Sequence, residues 1–160
     1  MIKITVIAVG RLKEKYLCDA CFEYIKRLGI YSKLNVVEIA EERCGDNPSA
    51  SEIENVKQKE GQRIIAKIPK GSFVVPMCIE GVQLSSEDFA KKIENTAVAG
   101  FGEIVFIIGG SFGLSHEVKA LGNIKLSFGK LTLPHQLMRV VLLEQIYRAF
   151  TILNHTKYHK

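Results

Sequence analysis

Apolar residues recur along this chain with two alternating periods. Short runs rich in β-branched residues, typical of buried strands, are separated by longer stretches with the spacing of amphipathic helices. The runs predict strands near residues 2–9, 34–39, 73–79, 104–109 and 124–128, and the stretches predict helices near 12–28, 50–68, 86–98, 115–121 and 134–153. Strands that alternate with helices pair in parallel through right-handed crossovers. The pattern therefore predicts an α/β fold, a three-layer α/β/α sandwich with a mostly parallel sheet, in one domain spanning residues 1–160.

Local signals predict several element boundaries. Ser49 is followed three residues later by Glu52, and Ser85 by Asp88, which predicts capping boxes at the starts of the second and third helices. Pro76 lies inside the third predicted strand and cannot donate a ladder hydrogen bond. We therefore expect a strand end, a bulge or an edge at Pro76.

The last predicted helix is apolar on more than one face. Its apolar positions are Leu137, Val140, Val141, Leu142, Leu143, Ile146, Tyr147, Ala149, Phe150 and Leu153. A helix that is apolar on two faces must be covered on both. In a domain this small, we expect the second cover to come from another subunit, which predicts a homodimer.

The charge and hydropathy of the chain bound its location and partners. The formal net charge is +5 and the pI is about 9.0, which favours polyanionic partners without identifying one. No apolar run approaches the roughly 20 residues of a membrane span. The N-terminal run is also too short for a signal peptide. We therefore expect a cytoplasmic protein with no membrane association.

One cysteine pair, Cys18 and Cys21, has the C-x-x-C spacing of a redox motif or of half a zinc site. The predicted helix begins near Leu12, more than a turn earlier, so no helix N-terminus is available to lower the thiol pKa. Cys21 also shares the apolar face of that helix. The three histidines near the C-terminus lack the compact spacing of metal ligands. We expect a structural role for the cysteines and no metal.

A glycine-rich turn, Gly-Gly-Ser-Phe-Gly at residues 109–113, follows the fourth predicted strand. It matches neither G-x-G-x-x-G nor a P-loop. A Rossmann dinucleotide site would place its glycines after the first strand, where this chain has only Gly10. Taken alone, the turn is at least as consistent with a simple strand-to-helix connection as with a ligand-binding loop.

Polar groups near the C-terminus have two interpretations. His135 and Arg139 are i,i+4 neighbours on the last helix, as are Glu144 and Arg148, and either pair is consistent with ordinary helix-surface placement. Residues 154–160 combine two imidazoles, a tyrosine ring and two lysines, which suit stacking on a base and contact with phosphates. Most such tails are frayed termini. Both interpretations stay open on these residues alone.

Several motifs occur together, at residues 107–114, 126–136, 138–150 and 158–160, with further matching segments at 6–10, 12–15 and 59–62. Read as a set, they resemble the ribosomal RNA large subunit methyltransferase H family of SPOUT-class enzymes. The resemblance covers the whole chain.

The resemblance implies a C-terminal trefoil knot, a homodimer and S-adenosylmethionine as cofactor. It further implies methylation of N3 of a pseudouridine in 23S large-subunit rRNA on the assembled ribosome. Periodicity alone predicts an unknotted sheet, because knots are essentially absent by default. Two alternatives stay open: a SPOUT methyltransferase that acts on tRNA, and a non-catalytic RNA- or nucleotide-binding module.

The resemblance also implies roles for individual residues. The expected cofactor-binding residues lie in loops and are Met77, Gly109, Gly110, Phe128, Gly129, Lys130, Leu131, Thr132 and Leu133. His159 is expected to accept the ring proton, Arg148 to stabilise the uracil anion and Tyr158 to orient the base. The expected substrate-binding residues are His135, Arg139 and Lys160. The tail of one subunit is expected to complete the pocket of the other.

Overall fold

The computed structural model describes all 160 residues and contains the ten predicted elements in the predicted order. The strands are β1 (Lys3–Val9), β2 (Lys33–Ile39), β3 (Phe73–Gln83), β4 (Glu103–Ile108) and β5 (Leu126–Ser127). The helices are α1 (Lys15–Leu28), α2 (Ala50–Ile65), α3 (Ser86–Val98), α4 (His116–Ala120) and α5 (His135–Leu153). None of these helices combines the length and the apolar character needed to cross a membrane.

The five strands form one sheet in the order β2-β1-β4-β3-β5, and every neighbouring pair is parallel. One core on the sheet contains buried residues of α1, α3 and α5. A second core contains residues of α2 and α4. Because strand side chains alternate between faces, these two cores lie on opposite sides of the sheet. The predicted α/β/α sandwich is confirmed.

Serine caps set the starts of two helices as predicted. The Ser49 hydroxyl accepts the Glu52 N–H at 3.2 Å at the start of α2, and the Ser85 hydroxyl accepts the Asp88 N–H at 3.0 Å at the start of α3. Each hydroxyl satisfies one of the free N–H groups of a helix N-terminus. The predicted serine caps are confirmed. The Glu52 and Asp88 carboxylates accept the serine hydroxyls and not the N-cap N–H groups, so the reciprocal half of each capping box does not form.

Strand β3 changes its neighbour at Pro76. Pro76 is opposite Ile107 in the last register pair with β4, and from Met77 onward β3 pairs with β5 in an irregular register. The predicted irregularity is confirmed, but the predicted strand end near residue 79 is wrong. The strand continues to Gln83 because β5 supplies a new partner for its second half.

Helix α5 is covered within the chain on more sides than its sequence suggested. It packs between α1 and α3 and also contacts β4. Leu142, Leu143 and Ile146 are fully buried by these neighbours, whereas Leu137 remains 38% exposed. The two-faced apolar pattern is therefore largely satisfied inside one protomer, and the homodimer stays a prediction.

Helix α1 begins later than predicted, which places the cysteine pair closer to its N-terminus than expected. The helix begins at Lys15 rather than near Leu12, so Cys18 lies within its first turn. Cys18 is exposed, whereas Cys21 is buried. Burial raises the pKa of the Cys21 thiol to about 11. The structural role of Cys21 thus follows from burial and not from distance to the helix start.

Gly61 on α2 provides a test of the packing between α2 and α4. A Cβ at this position would lie 2.6 Å from Ser115 Oγ and 3.2 Å from Val118 Cγ2. We expect Gly61→Ala to lower the free energy of unfolding by about 1–2 kcal/mol, since overpacking outweighs the better helix propensity of alanine. Urea denaturation measures the change. Gly45→Ala is the matched control, because nothing lies within 4 Å of its added Cβ; equal stability of the two variants would contradict the packing.

Thiol labelling tests the environment of the cysteine pair. The thiolate is the reactive form, so a pKa near 11 leaves Cys21 largely unreactive in mildly alkaline buffer. We expect iodoacetamide to modify exposed Cys18 and Cys44 much faster than buried Cys21, as followed by peptide mass spectrometry. Modification of Cys21 at the rate of Cys44 would contradict its burial.

Candidate active site

A cavity of about 650 Å³ opens at the carboxyl edge of the sheet. Parallel pairing brings the ends of β3, β4 and β5 to this one edge, where ligands of open α/β sheets bind. The lining comes from residues 77–80 within β3, from the segments that follow β4 and β5, from Lys119 of α4 and from the first turn of α5. The volume lies within the roughly 300–1,000 Å³ of small-molecule sites.

The glycine-rich loop after β4 forms one wall of the cavity. The loop is closed by the Gly113 N–H, which donates to the Gly110 carbonyl at 3.0 Å. A Cβ at Gly109 would lie 2.7 Å from the Gly113 carbonyl carbon. The loop therefore folds back so closely that only glycine fits at position 109. The wall is therefore mainly backbone, whose N–H and C=O groups can contact a ligand directly.

The segment between β5 and α5 forms the opposite wall. The Gly129 N–H donates to Ser127 Oγ at 3.1 Å, and that hydroxyl donates to the Gly129 carbonyl at 3.0 Å. Beyond this turn, Leu131 is 84% exposed. This wall therefore presents an apolar surface at the mouth of the cavity.

Most of the predicted cofactor-binding residues meet at this cavity. Those in its lining are Met77, Gly109, Gly110, Phe128, Gly129, Leu131, Thr132 and Leu133. Lys130 belongs to the same segment but is not in the lining. The two predicted loops, after β4 and after β5, thus lie around one space. Met77 lines the same space but lies within β3 and not in a loop, because β3 continues past it to pair with β5.

The sequence did not suggest an ion pair at the rim of the cavity. Lys119 Nζ lies 2.5 Å from Glu80 Oε1, and both residues line the cavity. The hydrogen bond from Lys119 lowers the pKa of Glu80. The two residues are far apart in the sequence and belong to no shared motif, so only the fold reveals the pair. No three His, Cys, Asp or Glu side chains anywhere in the chain are grouped to hold a metal ion.

The three predicted catalytic residues lie together around Glu144 on α5. Glu144 Oε1 accepts the Tyr158 hydroxyl at 3.0 Å and the Arg148 Nε–H at 3.0 Å. His159 Nδ1 lies 3.2 Å from Arg148 Nη1, and its Nε2 lies 2.8 Å from Glu87 Oε1. Burial, followed by hydrogen bonding to Tyr24 and Glu144, raises the pKa of Tyr158.

This cluster is separate from the cavity of its own protomer. None of Arg148, Tyr158 and His159 is in the cavity lining. His135 is in the lining, and Arg148 lies roughly 20 Å farther along the same helix at 1.5 Å per residue. The structure brings the predicted catalytic residues together but not onto the cofactor residues of the same chain.

The predicted substrate-binding residues have different environments. His135 lines the cavity, and Lys160 is exposed at the end of the chain. Arg139 is only 3% exposed and donates to Glu38 Oε2 at 2.7 Å and to the Gly10 carbonyl at 3.1 Å. The Arg139 guanidinium therefore connects α5 to the ends of β1 and β2, and a role of Arg139 in substrate binding stays a prediction.

Comparison with known proteins gives the family of this fold and cavity. The family model described as "Predicted SPOUT methyltransferase" matches residues 2–159. The ribosomal RNA large subunit methyltransferase H of Streptococcus thermophilus is 52% identical, covering 99% of each chain. The protein of that name from Streptococcus pneumoniae is 51% identical over the same shares of both chains.

A solved structure has the same fold. A probable methylase family protein from Haemophilus influenzae superposes with a TM-score of 0.54 and 14% identity, covering 100% of this chain and 72% of that one. With a strand-end cavity, a full-length family match and relatives of one name at half identity, the chain belongs to the SPOUT methyltransferase family.

Proposed function

We propose that this protein transfers a methyl group from S-adenosylmethionine to N3 of a pseudouridine in large-subunit rRNA, on the assembled ribosome in the cytoplasm. The cavity built by three strand-end segments is the observation that carries the proposal. The full-length identity to proteins named ribosomal RNA large subunit methyltransferase H supports this substrate class over tRNA. A non-catalytic binding module is disfavoured by the cluster of proton-transfer groups around Glu144.

The lining of the cavity fits this cofactor. Backbone groups of the loop after β4 can pair with the polar edge of an adenine, while Leu131 and Leu133 supply apolar contact to its faces. When bound, the cofactor supplies an electrophilic methyl group on a positively charged sulfonium. The protein has to hold that group against the acceptor nitrogen and keep the two in line.

The acceptor nitrogen must lose its proton when the new N–C bond forms. The sulfonium sulfur retains the electron pair of the broken S–C bond, and the proton passes to a base. We assign this base to His159 and the stabilisation of the ring anion to Arg148. Both ring nitrogens of His159 have neighbours in the free protein, namely Arg148 and Glu87. Substrate binding therefore has to displace one of these neighbours to free a nitrogen.

The separation between cluster and cavity supports an active site shared by two subunits. We infer a homodimer in which the tail of one protomer reaches the cavity of its partner. Leu131, which lines the cavity, and Leu137, two residues beyond the lining residue His135, are exposed apolar side chains that suit coverage by a second chain. We further infer that the segment after β5 threads an earlier loop to form a trefoil knot. This path requires the segments after β4 and after β5 to lie side by side, and both line the same cavity.

Removing residues 158–160 tests the role of the tail. We expect the truncated protein to lose methyl transfer while its affinity for S-adenosylmethionine stays within about twofold, because none of these residues lines the cavity. Lys157→Ala is the control within the same exposed tail and should retain activity. Isothermal titration calorimetry and a radiolabel assay measure the two properties; undiminished turnover would refute the assignment.

Mixing two inactive variants tests whether the site is shared. The truncated chain keeps its cavity, whereas Gly109→Val fills the loop after β4 and keeps its tail. Exchange of subunits should restore about one quarter of the wild-type activity, because half of the dimers then hold one complete site. Light scattering confirms the dimer mass. A mixture that stays inactive although its subunits exchange would contradict the shared site.

The substrate is tested by offering the enzyme intact ribosomes, isolated large subunits, naked rRNA and tRNA with radiolabelled S-adenosylmethionine. We expect methylpseudouridine from the large-subunit rRNA of intact ribosomes, identified by nucleoside mass spectrometry. Label in tRNA alone would overturn the proposed rRNA substrate but would still identify the protein as an RNA methyltransferase. Absence of label in every RNA would refute the proposed activity.

A further inference from the structure

Glu60 is a buried carboxylate without a cationic partner. Its side chain on α2 is 3% exposed, and its Oε2 accepts only the Glu42 N–H at 3.0 Å. Arg63, whose charge lowers the Glu60 pKa, forms its ion pair with the Glu42 carboxylate, as does Lys59. Burial raises the pKa of Glu60, and the hydrogen bond from Glu42 opposes that shift. Buried carboxylates are normally paired with a cation, so a missing counter-charge indicates a role.

The carboxylate of Glu60 lies directly behind the cavity. A Cβ at Gly110 would be 3.2 Å from Glu60 Oε1 and 3.4 Å from Oε2. Gly110 itself lines the cavity. Because Gly110 has no side chain, only the Gly110 backbone separates the Glu60 carboxylate from the cavity.

The next residue of α2 holds the same loop at a second point. Gly61 packs against Ser115, which is 3% exposed and caps α4 by accepting the Val118 N–H. Two consecutive residues of α2 therefore lie beside this wall, Glu60 behind Gly110 and Gly61 next to Ser115, the residue that caps α4 just after the loop. The position of the carboxylate relative to the cavity is fixed by this packing.

We propose that Glu60 is an electrostatic positioning residue that favours the positively charged methyl donor over the neutral thioether product. The inference rests on the proposed cofactor. S-adenosylmethionine carries an S-methyl group and the sulfonium charge that it creates, whereas S-adenosylhomocysteine lacks both and is otherwise the same. In its ionised form, the Glu60 carboxylate attracts that sulfonium, and its burial limits the screening of this attraction by water. Glu60 thus supports donor binding before transfer and weakens retention of the product afterwards.

The dissociation constant of S-adenosylhomocysteine divided by that of S-adenosylmethionine measures the preference of the protein for the donor. We expect Glu60→Gln to weaken binding of S-adenosylmethionine about tenfold and of S-adenosylhomocysteine less than about twofold, as measured by isothermal titration calorimetry. Glutamine keeps the shape and an acceptor for the Glu42 N–H. Glu54→Gln is the control on the same helix, because it removes an exposed carboxylate that pairs with Lys57 and does not lie behind Gly110. That control should leave the ratio unchanged.

A second variant separates charge from shape and covers a failure of Glu60→Gln to fold. Glu60→Asp keeps the charge, so we expect it to keep the preference for the donor even if both affinities fall. Equal weakening of donor and product in Glu60→Gln, or loss of the preference in Glu60→Asp, would overturn the inference and leave Glu60 a purely structural residue. A wild-type protein that binds neither molecule would instead refute the proposed cofactor.

Discussion

The close packing of the loop after β4 is the contact on which the site depends. At one end, Gly109 packs against the backbone of Gly113, and a Cβ added at Gly109 would lie 2.7 Å from the Gly113 carbonyl carbon. At the other end, Ser115 lies against Gly61 of α2. These contacts fix the loop backbone before any ligand arrives, so a ligand binds without the cost of ordering that segment. The opposite wall of the cavity, residues 126–135, therefore faces a loop whose backbone is already held in place.

Helix α5 connects the cavity to the Glu144 cluster. Its first residue, His135, lines the cavity, and Arg139 fastens that end to Glu38 and Gly10. Its far end carries Glu144 and Arg148, around which the tail folds. One rigid helix thus holds the cavity and the Glu144 cluster at a constant separation, and the proposed second protomer is the direct way to bring them together.

Much of this arrangement could be predicted from sequence. Periodicity predicts the type and order of all ten elements, and the residues at Ser49 and Ser85 predict their caps. The start of α1 was missed because Glu14, its N-cap residue, makes no side-chain capping bond. The extension of β3 past Pro76 depends on β5, a distant partner that local signals do not reveal.

The site was predictable in its loops but not in its electrostatics. Resemblance to a family brought Met77, Gly110 and Leu133 into one pocket, and the fold places them there. Arg139 looked like a surface cation because its partner, Glu38, is remote in sequence. The same holds for Glu60, whose relation to Gly110 arises only from the packing of α2 on the sheet.

Hydrogen–deuterium exchange with and without S-adenosylmethionine tests most directly the claim that the two loop segments form one donor site. The account predicts slower exchange in residues 109–114 and 126–135 together, with the tail at 156–160 unchanged by the cofactor alone. Protection confined to one of the two segments, or located around the Glu144 cluster, would contradict it.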